Sequence, residues 1–162
     1  MKTLAFCAAA LLFASGHASA TTASTASGAS ALALAGIVAG HSPEVSDADR
    51  EALNHLFAGN LDFDWPADSA IAVKADSIVC RAGNVDIAAW SCELTFGKHQ
   101  ITVKGRQAHE LYATILEAGV PPDGAAGSTF AALTHLDCTI NPDVIKQKSG
   151  GGASCNFDPG QS

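Results

Sequence analysis

Three groups of side chains in this 162-residue chain have types and spacings that could do chemistry. The first is the stretch Asn60-Leu61-Asp62-Phe63-Asp64-Trp65-Pro66-Ala67-Asp68, where carboxylates at Asp62, Asp64 and Asp68 follow the alternation of a calcium loop. Calcium takes six to eight oxygens, and the familiar loop needs glycine at its sixth position and glutamate at its twelfth. Those positions hold Trp65 and Ile71, so no metal site is expected. The stretch reads instead as an acidic loop in which Phe63 and Trp65 turn toward the core. Asp62, Asp64, Trp65 and Asp68 make it a candidate binding loop, because tryptophan is a common anchor of interfaces.

The second group is His135 and Asp137, two residues apart and hence on one face of a strand. A carboxylate that orients an imidazole supplies two parts of a nucleophilic triad. The third part has no recognisable setting: there is no Gly-x-Ser-x-Gly elbow, and Ser128, Ser149 and Ser154 stand in loops without a supporting signature. The third group, His109-Glu110, begins like a zinc-protease helix but has Ala113 where the second histidine belongs. His55 has no second ligand at helical spacing. The sequence assigns no catalytic residue, metal or cofactor, and points away from an enzyme.

Cysteine usage says more than these groups do. Lys2, the apolar run Leu4 to Phe13 and the small residues Ala18-Ser19-Ala20 have the layout of an export signal over residues 1–20. Cys7 precedes most of the apolar run, which is the wrong place for a lipid-bearing cysteine. Four cysteines then remain, Cys80, Cys92, Cys138 and Cys155, in a compartment where disulfides persist. No CxxC is present and the spacing to any histidine is irregular, so metal or redox roles are not expected. Four cysteines allow three connectivities. Short connections between neighbouring strands favour Cys80 with Cys92 and Cys138 with Cys155.

Composition limits the partners. The formal net charge is −7, and no basic patch exists that would hold nucleic acid or an anionic membrane. Lys98, Lys104 and Arg106 alternate with apolar residues and read as the wet face of a hairpin. Past the signal, no apolar run approaches the roughly 20 residues a membrane span needs. Residues 21–42 are rich in Ala, Ser, Thr and Gly, a composition expected of a leader or linker, although Leu32 to Val38 could add a strand or short helix. Residues 43–162 are then expected as one domain. No internal repeat is apparent beyond a loose similarity of two cysteine-bearing halves.

The elements that must carry these residues are legible in the periodicity. Ser46 or Asp47 can cap a helix that buries Leu53, Leu56 and Phe57 and stops at Gly59. Ile71 and Val73, then Ile78 and Cys80, alternate with a change of parity at Asp76-Ser77 that predicts a bulge or two short strands. Cys92, Leu94 and Phe96 alternate cleanly, with Trp90 before them. Gly97-Lys98 predicts a two-residue hairpin turn into Ile101 and Val103. Ala108, Leu111, Tyr112, Ile115 and Leu116 form one helical face closed by Gly119.

After a flexible loop, 123–127, Phe130 to Ile140 reads as strand in its second half and as strand or helix in its first. Asn141-Pro142 opens a short helix, and Ala153 to Phe157 returns as a final strand. The expected fold class is α+β: a small antiparallel sheet covered by one or two helices and held by two disulfides. The function this suits best is a secreted or periplasmic binding module, possibly inhibitor-like, whose partner is an unknown protein or small molecule. An envelope-associated structural or assembly factor and a small periplasmic hydrolase are the alternatives.

Overall fold

The computed structural model describes residues 23–60, 63, 70–82, 86–125, 128–146 and 152–160. The expected signal, residues 1–20, lies outside them. Eight strands, β1 (Ser24–Ser27), β2 (Ile71–Ala75), β3 (Ser77–Ala82), β4 (Ser91–Phe96), β5 (His99–Lys104), β6 (Asp123–Ala125), β7 (Ser128–Ile140) and β8 (Ala153–Pro159), form one antiparallel sheet. Its order is β1-β8-β7-β3-β4-β5, with β2 and β6 also paired to β7. Helices α1 (Ala29–His41) and α3 (Arg106–Glu117) lie together on one face, α2 (Asp47–Phe57) packs on α1, and α4 (Pro142–Lys146) sits between β7 and β8. The fold is α+β, as the sequence predicts.

Inward residues alternate as the sequence requires. Ile71, Val73 and Ala75, then Ile78, Cys80 and Ala82, are buried, and the parity changes at Asp76. β7 changes parity at the same level, with Ala131 and Leu133 buried before it and Leu136, Cys138 and Ile140 after. Each strand carries one extra residue there, so the pairing to β7 stays in step from Ile71↔Ile140 through Ile78↔Leu133. The opposite face of the sheet carries Lys74, Arg81, Glu93, Thr102, Thr139 and Asn156 and faces water.

Both disulfides have the expected partners. Cys80–Cys92 joins directly opposed residues of β3 and β4, and Cys138–Cys155 does the same for β7 and β8. With the partners 12 and 17 positions apart in sequence, each bridge contributes about 3 kcal/mol in the chain-entropy estimate.

The two halves are related by an approximate two-fold through the middle of the sheet. Edge strand β5 turns at Gly105 into α3, which lies over the Cys80–Cys92 bridge with the Ala108 carbonyl oxygen 3.3 Å from Cys92 Sγ. Edge strand β1 turns at Gly28 into α1, which lies over the Cys138–Cys155 bridge with the Ala31 carbonyl oxygen 3.4 Å from Cys155 Sγ. The corner glycines share one backbone conformation, φ 67° and ψ −136° at Gly28 and φ 65° and ψ −134° at Gly105, which only glycine adopts readily. Ala31 and Ala108, both fully buried, are small enough to seat each helix on its bridge.

The correspondence extends to sequence. Ser91-Cys92-Glu93-Leu94-Thr95-Phe96-Gly97 stands where the other half has Ser154-Cys155-Asn156-Phe157-Asp158-Pro159-Gly160. At the bulge, the Asp76 carboxylate accepts from the Gly97 amide, and Thr134, its counterpart, donates to the Asp158 carbonyl. One half runs β2-β3-β4-β5-α3 along the chain. The other runs β7-β8 at the C-terminal side and β1-α1 at the N-terminal side, so it is circularly permuted.

Several expectations are corrected by this arrangement. Residues 24–41, expected within a leader, form β1 and α1 and bury Ala31, Leu34, Ala35, Val38 and Ala39 in the core. Small residues alone bury little, but here they close the gap to a disulfide beneath. For the first half of β7, where the sequence leaves strand and helix open, the strand holds, because Thr129 to Leu133 pair with β3. Asp123–Ala125, expected in a flexible loop, pairs with Ser128 to Phe130.

Candidate functional site

α1 is apolar on every side, and that sets it apart from the other helices. A helix of that kind is ordinarily enclosed on all sides. Its inner residues are enclosed by the sheet, yet Leu32, Ala33, Gly36 and Ile37 on its outer side are only half-buried. The symmetry-related helix provides an internal comparison. In α3 the positions equivalent to Leu32, Ala33 and Gly36 are His109, Glu110 and Ala113, the position equivalent to Ile37 is the buried Thr114, and its flanks carry Arg106 and Glu117. Two helices thus lie alike on one sheet, one dressed for water and one not.

The outer side of α1 is one wall of a groove whose other walls are α2 and α3. Phe57, at the end of α2, lies over Gly36: a Cβ at position 36 would stand 1.9 Å from the phenyl ring. Phe57 therefore departs from its expected place in the core. Leu53 and Leu56 are buried, whereas Phe57 is 46 % exposed. Ala33, Gly36, Ile37 and Phe57 line an apolar recess of about 300 Å³. It adjoins a polar recess of about 210 Å³, between Gly36, Ile37, Gly40 and His41 of α1 and Gln107 and Glu110 of α3.

The groove has a rigid frame. Ser46 caps α2, its hydroxyl oxygen accepting from the Asp49 amide at 3.1 Å and donating to the Asp49 carboxylate at 2.7 Å. From the first turn of α2, the Arg50 guanidinium donates to the carbonyls of Ala39, Gly40, Ser42 and Val45 at 2.8–3.3 Å. Those of Ala39 and Gly40 are carbonyls that the end of α1 leaves without helical partners, and those of Ser42 and Val45 belong to the link into α2. One side chain thus fixes the angle between two walls. Burial, and secondarily the charge of Arg50, holds the His41 imidazole below its ordinary value.

Of the residues singled out from sequence, Asp62, Asp64, Trp65 and Asp68 lie outside the described residues. Phe63 is half-buried and stacks on His55 with ring centroids 4.1 Å apart, while Asn60 Nδ2 donates to His55 Nδ1 at 3.2 Å. Cys80, Cys92, Cys138 and Cys155 are all committed to bridges. The Asp137 carboxylate is engaged by Lys74 at 3.3 Å on the open face of the sheet, and His135 is exposed at the β7 bulge. His109 and Glu110 separate: Glu110 lines the groove, whereas His109 packs edge-on against Trp90 with centroids 4.6 Å apart. Trp90 meets Tyr112 similarly at 4.9 Å, and burial raises the Tyr112 hydroxyl above its ordinary value, with Thr129 opposing that rise. This aromatic cluster pins α3 to the start of β4.

The sequence reading missed the groove. Its signal was the run Ala31 to Ala39, which has no polar side and so cannot be a free helix in water. Among the described residues, no group of three or more His, Cys, Asp or Glu could hold a metal ion. No helix among them is long and apolar enough to cross a membrane. No family model, curated protein or solved structure matches the chain.

Proposed function

We infer that the protein is an exported binding module, and that its site is the groove over α1. One observation carries this reading: of two symmetry-related helices on the same sheet, α1 alone presents an apolar outer side, and that side lines the 300 Å³ recess. A concave apolar surface ending in a few convergent polar groups is the usual form of a ligand site. His41, Gln107 and Glu110 supply those polar groups.

The export layout of residues 1–20 and the two disulfides suit a periplasmic or extracellular setting. The envelope-tether alternative relied on residues 21–42 as a free leader, and most of that stretch is part of the fold. The hydrolase alternative relied on His135 with Asp137 or His109 with Glu110, and neither pair acts as a unit.

Nile red, a neutral apolar dye, tests the reading. Its fluorescence is expected to rise on the native protein. Ile37→Glu should remove the rise, and Ala113→Glu on the outer side of α3 should leave it. No enhancement on the native protein, or equal loss in both variants, would sink the assignment.

A further inference from the structure

We propose that the groove holds the apolar face of a basic amphipathic helix supplied by a partner protein. This rests on the groove being the binding site and specifies its occupant.

The size of the groove suits a helix. Its lining on α1 runs from Ala33 to His41, which at 1.5 Å per residue is about 12 Å. Residues i, i+4 and i+7 of a docked helix span about 10 Å, so two or three apolar anchors fit along it. Open at the surface and only about 300 Å³ in its apolar part, the groove takes side chains from above rather than swallowing a molecule whole.

Charge selects the kind of helix. The segment forming α1 and α2, residues 29–57, carries Glu44, Asp47, Asp49 and Glu51 against one cation, Arg50. Arg50 is already engaged with four carbonyl oxygens. α3 adds Glu110, which lines the polar end, and Glu117, against Arg106. Six acidic and two basic residues on the three helices and the α1–α2 link give −4, more than half of the chain's −7, and of the six Glu110 lines the groove itself. The open face of the sheet, by contrast, mixes Lys74, Arg81 and Lys104 with Glu93 and Asp137.

An apolar floor with Glu110 at its end, carried by segments of net negative charge, is complementary to leucine-type anchors flanked by lysine or arginine. A second copy of this chain would bring like-charged walls together, which costs rather than gains. An acidic or neutral amphipathic helix would find the floor but not the walls.

Fluorescently labelled 14-residue model helices, one built of Leu and Lys and one of Leu and Glu with leucines at the same positions, are titrated with the intact protein and followed by anisotropy. The Leu/Lys helix should bind saturably and at least tenfold more tightly than the Leu/Glu helix. Ile37→Glu separates the terms. It adds negative charge, so purely electrostatic attraction would be strengthened, whereas docking in the groove should weaken at least tenfold. Gly40→Trp is a second block, since a side chain at that position meets open space. Ala113→Glu should leave binding unchanged, and near-UV circular dichroism checks that each variant is folded. Equal binding of both helices, tighter binding to Ile37→Glu, or self-association of the free protein lost in Gly40→Trp would each overturn the proposal. Nile red binding without peptide binding would overturn it while leaving the groove as the site.

Discussion

Substituting Gly36 by alanine tests whether Phe57 closes the groove as described. In a helix interior this change ordinarily stabilises by about 1 kcal/mol, because glycine costs more backbone entropy than alanine. Here the new methyl would stand 1.9 Å from the Phe57 ring, so the ring must swing aside, and its complete displacement sets the largest cost. A phenylalanine side chain buries about 150–250 Å² when enclosed. Phe57 is 46 % exposed, so roughly 100 Å² is at stake, worth about 2.5 kcal/mol at ~25 cal/mol per Å². The net effect is a loss of about 1.5 kcal/mol, opposite in sign to the helix propensity. Urea unfolding of four proteins measures it: parent, Gly36→Ala, Phe57→Ala and the double variant. With the ring gone, Gly36→Ala should regain its ordinary sign and stabilise by about 1 kcal/mol, a coupling of about 2.5 kcal/mol. Stabilisation by Gly36→Ala in the parent, or the same effect in both backgrounds, would refute the placement of Phe57.

The remaining predictions concern the frame and the two-fold. Arg50→Met should cost about 2–3 kcal/mol in chemical denaturation, less than a sum over four charge-assisted bonds because the side chain is 31 % exposed and water replaces part of the loss. Arg50→Lys should recover less than half of it, since one ammonium cannot serve four carbonyls. A permutant that joins Gln161 to Thr22 and opens between Asn60 and Leu61 copies the Gly97-Lys98-His99 hairpin. It should fold cooperatively with both bridges and within about 2 kcal/mol of the parent, whereas failure to form Cys138–Cys155 would contradict the permuted repeat. His41, held below its ordinary 6.5 by burial and Arg50, binds a proton more readily unfolded than folded. Its contribution is therefore intact above about pH 6.5 and lost as pH falls through and below that value. His41→Gln should flatten this part of a stability–pH profile, and an unchanged slope would count against it.

Much of the scaffold was legible because period-two burial is strict where one face of a sheet is covered. The parity change at Asp76, the Gly97-Lys98 turn and the run Cys92-Leu94-Phe96 gave strand, bulge and hairpin directly. The disulfide pairs followed from strand neighbours. α1 was hidden because its evidence is spatial: alanine and glycine in Ala31 to Ala39 look too small to order a segment until a disulfide lies beneath them. The repeat was hidden by permutation, which sends its matching parts to opposite ends of the chain. Phe57 continues the periodic stripe of Leu53 and Leu56, and only the glycine across from it explains why it lies outside the core.

The most direct measurement of the central claim is an amide chemical-shift map of the intact, isotope-labelled protein during titration with the Leu/Lys helix. The account predicts perturbations along Ala33, Gly36, Ile37 and Gly40, at Phe57 and at the Gln107–Glu110 end of α3. The open face of the sheet and the Trp90 cluster should stay unchanged. Perturbations centred on the open face, on the outer side of α3 around Ala113, or scattered over every acidic residue would contradict it.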